Sequence, residues 1–390
     1  MLIPFATDRE IERTPYVTIG IIAVNVLVFV LSLGPVDPLD LALVPSELDP
    51  LKCITHMFAH GDILHIAGNM LFLWVFGVHA ELAMGTGRYL LLYFSAGIGA
   101  AFLHVAVSFA SGALAVDIPM LGASGAVMGV VALFALRYRR VKVRFVFWYM
   151  LVRAGIFEMS ALSAAIMYLV LDLLAGVFTL SLPGGGTAHW AHIGGFIVGG
   201  AYAFGGGAFQ EGVSEEKREE VIGFFRAGAP KTAISLANKY LAKNPDDAEV
   251  HLLVADAQEA LGADQRVVWH RSKALEALAR DGQTDLAAET FEKVRAKRNL
   301  AQYDPALLYS MAQALDHSGR FASAVATYRE ILQHHATSRV APCAALAAGL
   351  TAKGHIGDMD LARQYFDYTV KRWPDSPEAG TARRERPQPG

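Results

Sequence analysis

The stretch Met120-Leu-Gly-Ala-Ser-Gly-Ala-Val-Met-Gly129 opens an apolar run that reaches Leu136 without a charged residue. One hydroxyl, Ser124, stands between Gly122 and Gly125, close to the start of what reads as a membrane-spanning helix. Glycines there let other backbone approach the serine, and a residue at a helix N-terminus keeps its amide N–H outside the helical ladder. Taken alone, the pattern fits a packing face better than a catalytic one, because small residues let spanning helices lie close together. Its meaning depends on what the other apolar segments carry.

Only 18% of the 390 residues are charged, and they are unevenly spread. Between Ile63 and Leu136 the charged residues are Glu81, Arg88 and Asp117; between Ala154 and Gly206 they are Glu158 and Asp172. From Glu211 onward charges recur every few residues. The first half therefore reads as a multi-span membrane domain in contact with the lipid bilayer, and the second as a soluble one. A net charge of −3 argues against nucleic acid as a partner. The N-terminus shows neither a basic n-region with a cleavage site nor a transit-like presequence, so the first apolar run is expected to be retained, in a bacterial plasma membrane.

Six apolar segments can be marked: Val17–Leu33, Ile63–Ala80, Tyr89–Ala110, Gly122–Leu136, Met159–Leu182 and Thr187–Phe204. The first and fourth are short for a hydrocarbon core of about 30 Å. Phe145–Val152, with Trp148 and Tyr149, is apolar but too short to span and reads as interfacial. Arg137, Arg139, Arg140, Lys142, Arg144 and Arg153 crowd the linker between the fourth and fifth segments, a cluster that reads as topogenic and lipid-facing. The loop from Gly34 to Asp62 has a single basic residue, Lys52, among five acids. Both termini are accordingly predicted to be cytoplasmic, with the first, third and fifth loops outside. That topology puts Cys53 and Cys343 on opposite sides of the membrane, so no disulfide between them is expected.

Three segments carry polar residues where they enter from outside: His65-Ile-Ala-Gly-Asn69 in the second, Ser124 in the fourth, and His189 with His192 in the sixth. His65 and Asn69 are four residues apart and share a helix face. Polar side chains inside spans normally face the protein interior or a water-filled cavity. A serine hydroxyl needs a base such as histidine, and a tetrahedral oxyanion needs positioned donors, which His65, Asn69 and the Ser124 amide can supply. No acidic residue offers itself as a third member, Asp172 lying in mid-span. A Ser124–His192 dyad is the simplest reading, with no cofactor. The His189-x-x-His192 pair lacks an evident carboxylate or thiolate to complete a metal site, so no metal is expected. His56 and His60 read as residues that fix the first loop.

With His65-x-x-x-Asn69, Gly122-x-Ser124-Gly125 and Ala191-His192-x-x-Gly195-x-x-x-Gly199 on the second, fourth and sixth spans, the chain resembles the rhomboid family of intramembrane serine proteases. The resemblance covers roughly 15–204. It implies an endopeptidase acting on single-span membrane proteins in or near their transmembrane segment. Ser124 would be the nucleophile, His192 the base, and His65 and Asn69 the oxyanion donors. Gly122, Gly125, Gly195 and Gly199 would pack helices tightly around the site. Two departures stand out: Met128 occupies the place where some members carry a tyrosine, and the Trp–Arg pair of the first loop has no match. The rival reading is a rhomboid-like pseudoprotease that binds membrane proteins without hydrolysis.

After Glu215-Glu-Lys-Arg-Glu-Glu220 the pattern is that of amphipathic helices throughout. An Ala-x-x-x-aromatic pair recurs as Ala287/Phe291, Ala324/Tyr328 and Ala362/Phe366, at intervals of 37 and 38 residues. This resembles degenerate tetratricopeptide (TPR) repeats, in which helix hairpins stack and bind protein or peptide partners. The expectation is an all-α chain: an N-terminal cytoplasmic segment (1–15), a six-transmembrane-helix rhomboid-like bundle (16–206), a linker (207–220), a cytoplasmic TPR-like repeat domain (221–384) and a disordered tail (385–390).

Overall fold

The computed structural model describes residues 2–111, 116–149, 153–179, 187–262, 264–296 and 299–387. Two compact units divide at Glu215/Glu216. The first contains β1 (Leu2–Thr7), α1 (Tyr16–Ser32), the short α2 (Lys52–Thr55), α3 (Ile63–Phe72), α4 (Val78–Met84), α5 (Thr86–Ser111), α6 (Ser124–Arg137), β2 (Lys142–Tyr149), β3 (Arg153–Ser160), α7 (Ala161–Thr179) and α8 (Thr187–Gly205). One π-turn, Leu73–Gly77, joins α3 to α4. Among the described residues Ile63–Met84, Thr86–Ser111 and Ala161–Thr179 are long and apolar enough to cross a bilayer; Tyr16–Ser32 and Ser124–Arg137 are shorter apolar helices. The chain is a multi-pass membrane protein. Leu171, Leu174, Val177 and Phe178 on α7 lie exposed, a surface that suits lipid and would be an aggregation liability in water.

Helix α6 is the hub. Every residue from Gly125 to Ala135 is buried, the all-round burial of a helix enclosed by others. Its 14 residues reach only about 21 Å. The neighbours are α5 and α8, and all three are rich in glycine and alanine where they meet. At the other end of the unit, Glu81 of α4 is buried and caps α1. Its carboxylate accepts the Val17 and Thr18 N–H groups at 3.0 and 2.8 Å and the Thr18 hydroxyl at 2.8 Å. Pro15 supplies no side-chain cap, so the acid on a neighbouring helix satisfies the orphan amides and meets the positive end of the dipole.

The fold is mostly helical but not all-α, which corrects the sequence reading. β1, β2 and β3 form an antiparallel sheet in that order, with a bulge between Pro4 and Ala6 on β1. The strand alternation was present in the sequence: Val143 and Phe145 are fully buried, while Arg144 between them turns out to pair with Glu158 at 2.9 Å. Residues 145–149 of the expected interfacial segment therefore lie in β2, and 150–152 lie outside the described residues. Two residues of the basic cluster are built into protein contacts, while Arg140 and Arg144 are exposed. Arg137, 13% exposed, pairs with Glu215, and Arg139 lies over the Phe209 ring.

The helix α9 (Ala208–Arg226) runs through the division between the units, so most of the stretch expected as a linker is helical. The second unit continues with α10 (Pro230–Leu241), α11 (Ala248–Ala260), α12 (Asp264–Arg280), α13 (Thr284–Arg295), α14 (Pro305–His317), α15 (Phe321–His334), α16 (Ala341–Thr351), α17 (Met359–Arg372) and α18 (Pro377–Glu385). From α10 onward each helix packs on the next. Asp247, Asp304, Asp358 and Ser376 cap N-termini through side-chain oxygens. Gly262, Gly282 and Gly319 end helices at φ of +76, +70 and +74°, a conformation L-residues resist. All three Ala/aromatic pairs of the repeat are buried. Of the tail expected to be disordered, Glu385 closes α18 and 388–390 lie outside the described residues. Cys53 and Cys343 are free thiols.

Candidate active site

Ser124 is the first residue of α6, and the chain leading to it is held on both sides. Leu43 and Met120 exchange backbone hydrogen bonds at 2.9 and 2.8 Å, and the Gly122 N–H donates to the His56 carbonyl at 2.9 Å. Gly122 takes φ +116°, and a Cβ there would stand 2.6 Å from His65 Nε2 and 3.6 Å from Asn69 Nδ2. Only glycine fits, because it satisfies the backbone and leaves room for the imidazole. The structure thus brings His65 and Asn69 against the residue two before Ser124. The first helical hydrogen bond of α6 runs from Val127 N to Ala123 O, so the amides just before it emerge from the helix end as potential donors.

The opposite wall is α8. His192 Nε2 lies 2.8 Å from Ser124 Oγ. This closeness is set by glycine. A Cβ on Gly195 would collide with the Gly125 carbonyl and one on Gly199 with the Gly129 carbonyl, so α6 and α8 touch backbone to backbone at two levels one turn apart. Gly125 and Gly129 also press on Ala100 and Ala96 of α5. Met128 is buried in the core of this unit.

Asp172 of α7 places a carboxylate beside the Ser124–His192 pair. Its Oδ1 and Oδ2 each lie 3.1 Å from His192 Nδ1, and Oδ1 lies 2.7 Å from His189 Nδ1. A carboxylate accepts, so Nδ1 of His192 carries the proton and Nε2 is left bare to take the serine hydroxyl. Carboxylate, imidazole and hydroxyl form one continuous hydrogen-bonded chain. The same acid supplies the carboxylate that the His189-x-x-His192 pair lacked in the sequence. Asp172, His189 and His192 offer one donor atom each, all within 4.8 Å of one another. The signal in the sequence was an acid within two turns of the end of one apolar helix, facing two histidines at the start of the next.

A second layer holds the oxyanion candidates. The Asn69 amide donates to His60 Nε2 at 2.9 Å, and the His60 and His65 rings meet edge to face at 5.1 Å. Burial lowers the pKa of His60, in the loop before α3, to about 4, so the ring is neutral and Nε2 can accept. His79 of α4 bonds to Thr7 of β1 at 2.9 Å, outside this cluster.

Residues 48–209 match a family described as "Rhomboid domain", and that span includes every residue of the cluster above. The "Presenilin-associated rhomboid-like protein A, mitochondrial" of Danio rerio is 29% identical over 180 residues, covering 46% of this chain and 43% of that protein. "Rhomboid protease GluP" of Bacillus subtilis is 36% identical over 78 residues, covering 20% of this chain and 14% of that one. The chain thus spans less than half the length of these curated relatives. Among solved structures, "YrrB: a TPR protein with an unusual peptide-binding site" is similar at 16% identity and a TM-score of 0.24, over 42% of this chain and 88% of that one. Residues 48–209 of this chain are a rhomboid domain.

Proposed function

We propose that the rhomboid domain is an intramembrane serine endopeptidase that cleaves single-span membrane proteins in or beside their transmembrane segment. The observation that carries this reading is the hydrogen-bonded chain Asp172–His192–Ser124, placed at the N-terminus of a helix buried on all sides. His192 Nε2 takes the Ser124 proton as Oγ attacks the scissile carbonyl, and the imidazolium then protonates the leaving amine. Asp172 holds the ring in the tautomer that makes Nε2 the base and stabilises the imidazolium once formed. The oxyanion is received by His65, Asn69 and the Ser124 amide. Water, activated in turn by His192, hydrolyses the acyl-enzyme. A substrate helix hides its carbonyls in hydrogen bonds, so cleavage requires a segment that unwinds locally.

In this reading α1, the α3–α4 rod, α5, α6, α7 and α8 make six spans. The site opens to the outer face of a bacterial plasma membrane, and both termini are cytoplasmic. The helical unit binds a cytoplasmic protein or peptide partner through its stacked hairpins. The test is cleavage of a single-span reporter by purified protein in liposomes. Wild type should cut, and Ser124→Ala and His192→Ala should each lose at least about 10³-fold with thermal stability unmoved. Equal cleavage by all three would end the proposal. Reporter binding without cleavage by wild type would establish the pseudoprotease reading instead.

A further inference from the structure

We infer that Asp172, His189 and His192 form a zinc-class metal site, and that metal binding there switches the serine off. The site itself stands on geometry; its effect on proteolysis rests on the reading above. His189 has no part in the Ser124–His192 chemistry, yet its Nδ1 is 2.7 Å from the same carboxylate oxygen that lies 3.1 Å from His192 Nδ1. The two rings stand 88° apart with centroids at 6.3 Å, so their Nδ1 atoms converge on the acid from different directions. Tetrahedral zinc with bonds of about 2.0–2.1 Å needs donors about 3.3 Å apart. The His192 edge, at 3.1 Å, is close to that spacing, and the His189 edge, at 2.7 Å, would have to open by about 0.6 Å; a metal entering between the three atoms would replace two hydrogen bonds with three coordinate bonds.

The donor set selects the metal class. Two imidazoles and one carboxylate suit zinc, copper, nickel or ferrous iron, whereas magnesium and calcium prefer oxygen alone. With three protein ligands a fourth position stays open for water. The side chains are 14 to 35% exposed, so an ion can reach them.

The inhibitory consequence follows from the tautomer. In the metal-free chain Nδ1–H of His192 donates to Asp172, and Nε2 accepts from Ser124. A metal on Nδ1 requires that nitrogen bare, which moves the proton to Nε2. The hydrogen bond to Ser124 survives with its direction reversed: Nε2–H now donates and Oγ accepts. That bond becomes the outer-shell contact a ligating histidine needs. The serine, however, no longer faces a base, so the nucleophile stays protonated.

The experiment uses untagged full-length protein in detergent. Cobalt(II) titration reads tetrahedral d–d absorption, and zinc competition reverses it. Wild type and Ser124→Ala should both bind one cobalt per chain, while His189→Gln and Asp172→Asn should bind at least about tenfold more weakly. Reporter cleavage by wild type should fall with zinc, and His189→Gln should need at least about tenfold more zinc for the same loss, each enzyme measured against its own metal-free rate. Equal cobalt binding by wild type and His189→Gln overturns the site. Normal cobalt binding with zinc-insensitive cleavage overturns the switch and leaves the site. Absence of cleavage in every sample counts against the protease reading alone, because the cobalt arm does not depend on it.

Discussion

The two units bring helices together by opposite means. In the membrane unit, α6 and α8 meet through Gly125, Gly129, Gly195 and Gly199 with no side chain between them. In the helical unit, Ala287, Ala324 and Ala362 each precede by four residues a large ring, Phe291, Tyr328 or Phe366, and all six are buried. The solvent explains the contrast. Water drives apolar rings into the gap between hairpins, whereas lipid offers no hydrophobic reward for doing so and leaves close van der Waals contact as the main attraction. Close contact also positions the chemistry, since a backbone-to-backbone crossing leaves little slack between Ser124 and His192.

The largest expected difference between the units is therefore in what a packing change does. Phe291→Ala should cost about 3–5 kcal/mol, read as a lower midpoint for the helical unit's unfolding, with metal-free cleavage of a reporter held by the membrane unit unchanged. Gly195→Ala adds one methyl group against the Gly125 carbonyl and should cost about 1–3 kcal/mol, since the helices must part. Its larger effect should be on cleavage, with at least about a tenfold loss, because parting the helices lengthens the Ser124–His192 contact. If Gly195→Ala melts the unit as readily as it slows it, or Phe291→Ala slows cleavage, the division of labour drawn here is wrong.

What the sequence revealed follows the same division. Polar atoms inside an apolar segment are expensive and so conspicuous, which is why Ser124, His65, Asn69 and His192 could be picked out one by one. The repeat was legible because the Ala/aromatic spacing recurs. Asp172 was equally visible as an intramembrane acid, but its partner depends on how α7 and α8 lie side by side, and helical periodicity within one segment says nothing of that. The sheet was missed for a different reason. The basic residues of Lys142–Arg144 carry a topology signal that drew the reading away from the alternation of Val143 and Phe145, and β1, its pairing partner, is more than 130 residues earlier. The β1–β2 pairing is non-local, unlike the β2–β3 hairpin, whereas the helices and their polar insertions are written locally.

A smaller effect separates a triad from a dyad. Asp172→Asn keeps the shape of the side chain but offers an amide that can turn its N–H₂ toward Nδ1, favouring the tautomer with the proton on Nε2. The expected loss is about 10- to 100-fold in kcat with KM little changed, since Asp172 touches His192 and not the reporter. Asp172→Glu should recover part of it. An unchanged kcat for Asp172→Asn would show that the dyad works without the acid.

The smallest effect tests a second histidine pair, the one in the helical unit. His251 and His270 meet Nδ1 to Nδ1 at 2.8 Å, with no carboxylate between them, unlike the acid-bridged pair at the active site. His251 Nε2 faces the Pro245 carbonyl at 3.0 Å and must donate to it, so Nδ1 of His251 accepts and Nδ1–H of His270 donates. Both rings are buried. Burial lowers the pKa of His270 to about 4, with His251 and Arg266 adding to the shift; burial also lowers His251, partly offset by the Pro245 carbonyl and by Asp247. The neutral forms are thus favoured in the folded unit relative to an unfolded value near 6.5. The stabilisation is fully present above pH 6.5 and is lost as pH falls from there toward 4, because the unfolded chain then binds protons the folded one refuses. Between pH 7.5 and 5 the melting temperature of the helical unit should fall about 2 °C or more further in wild type than in His270→Phe, which removes one of the two titrating rings. Parallel curves for the two proteins would mean that the pair is charged or solvated in the folded state, and that a histidine pair needs no bridging acid to remain stable in this chain.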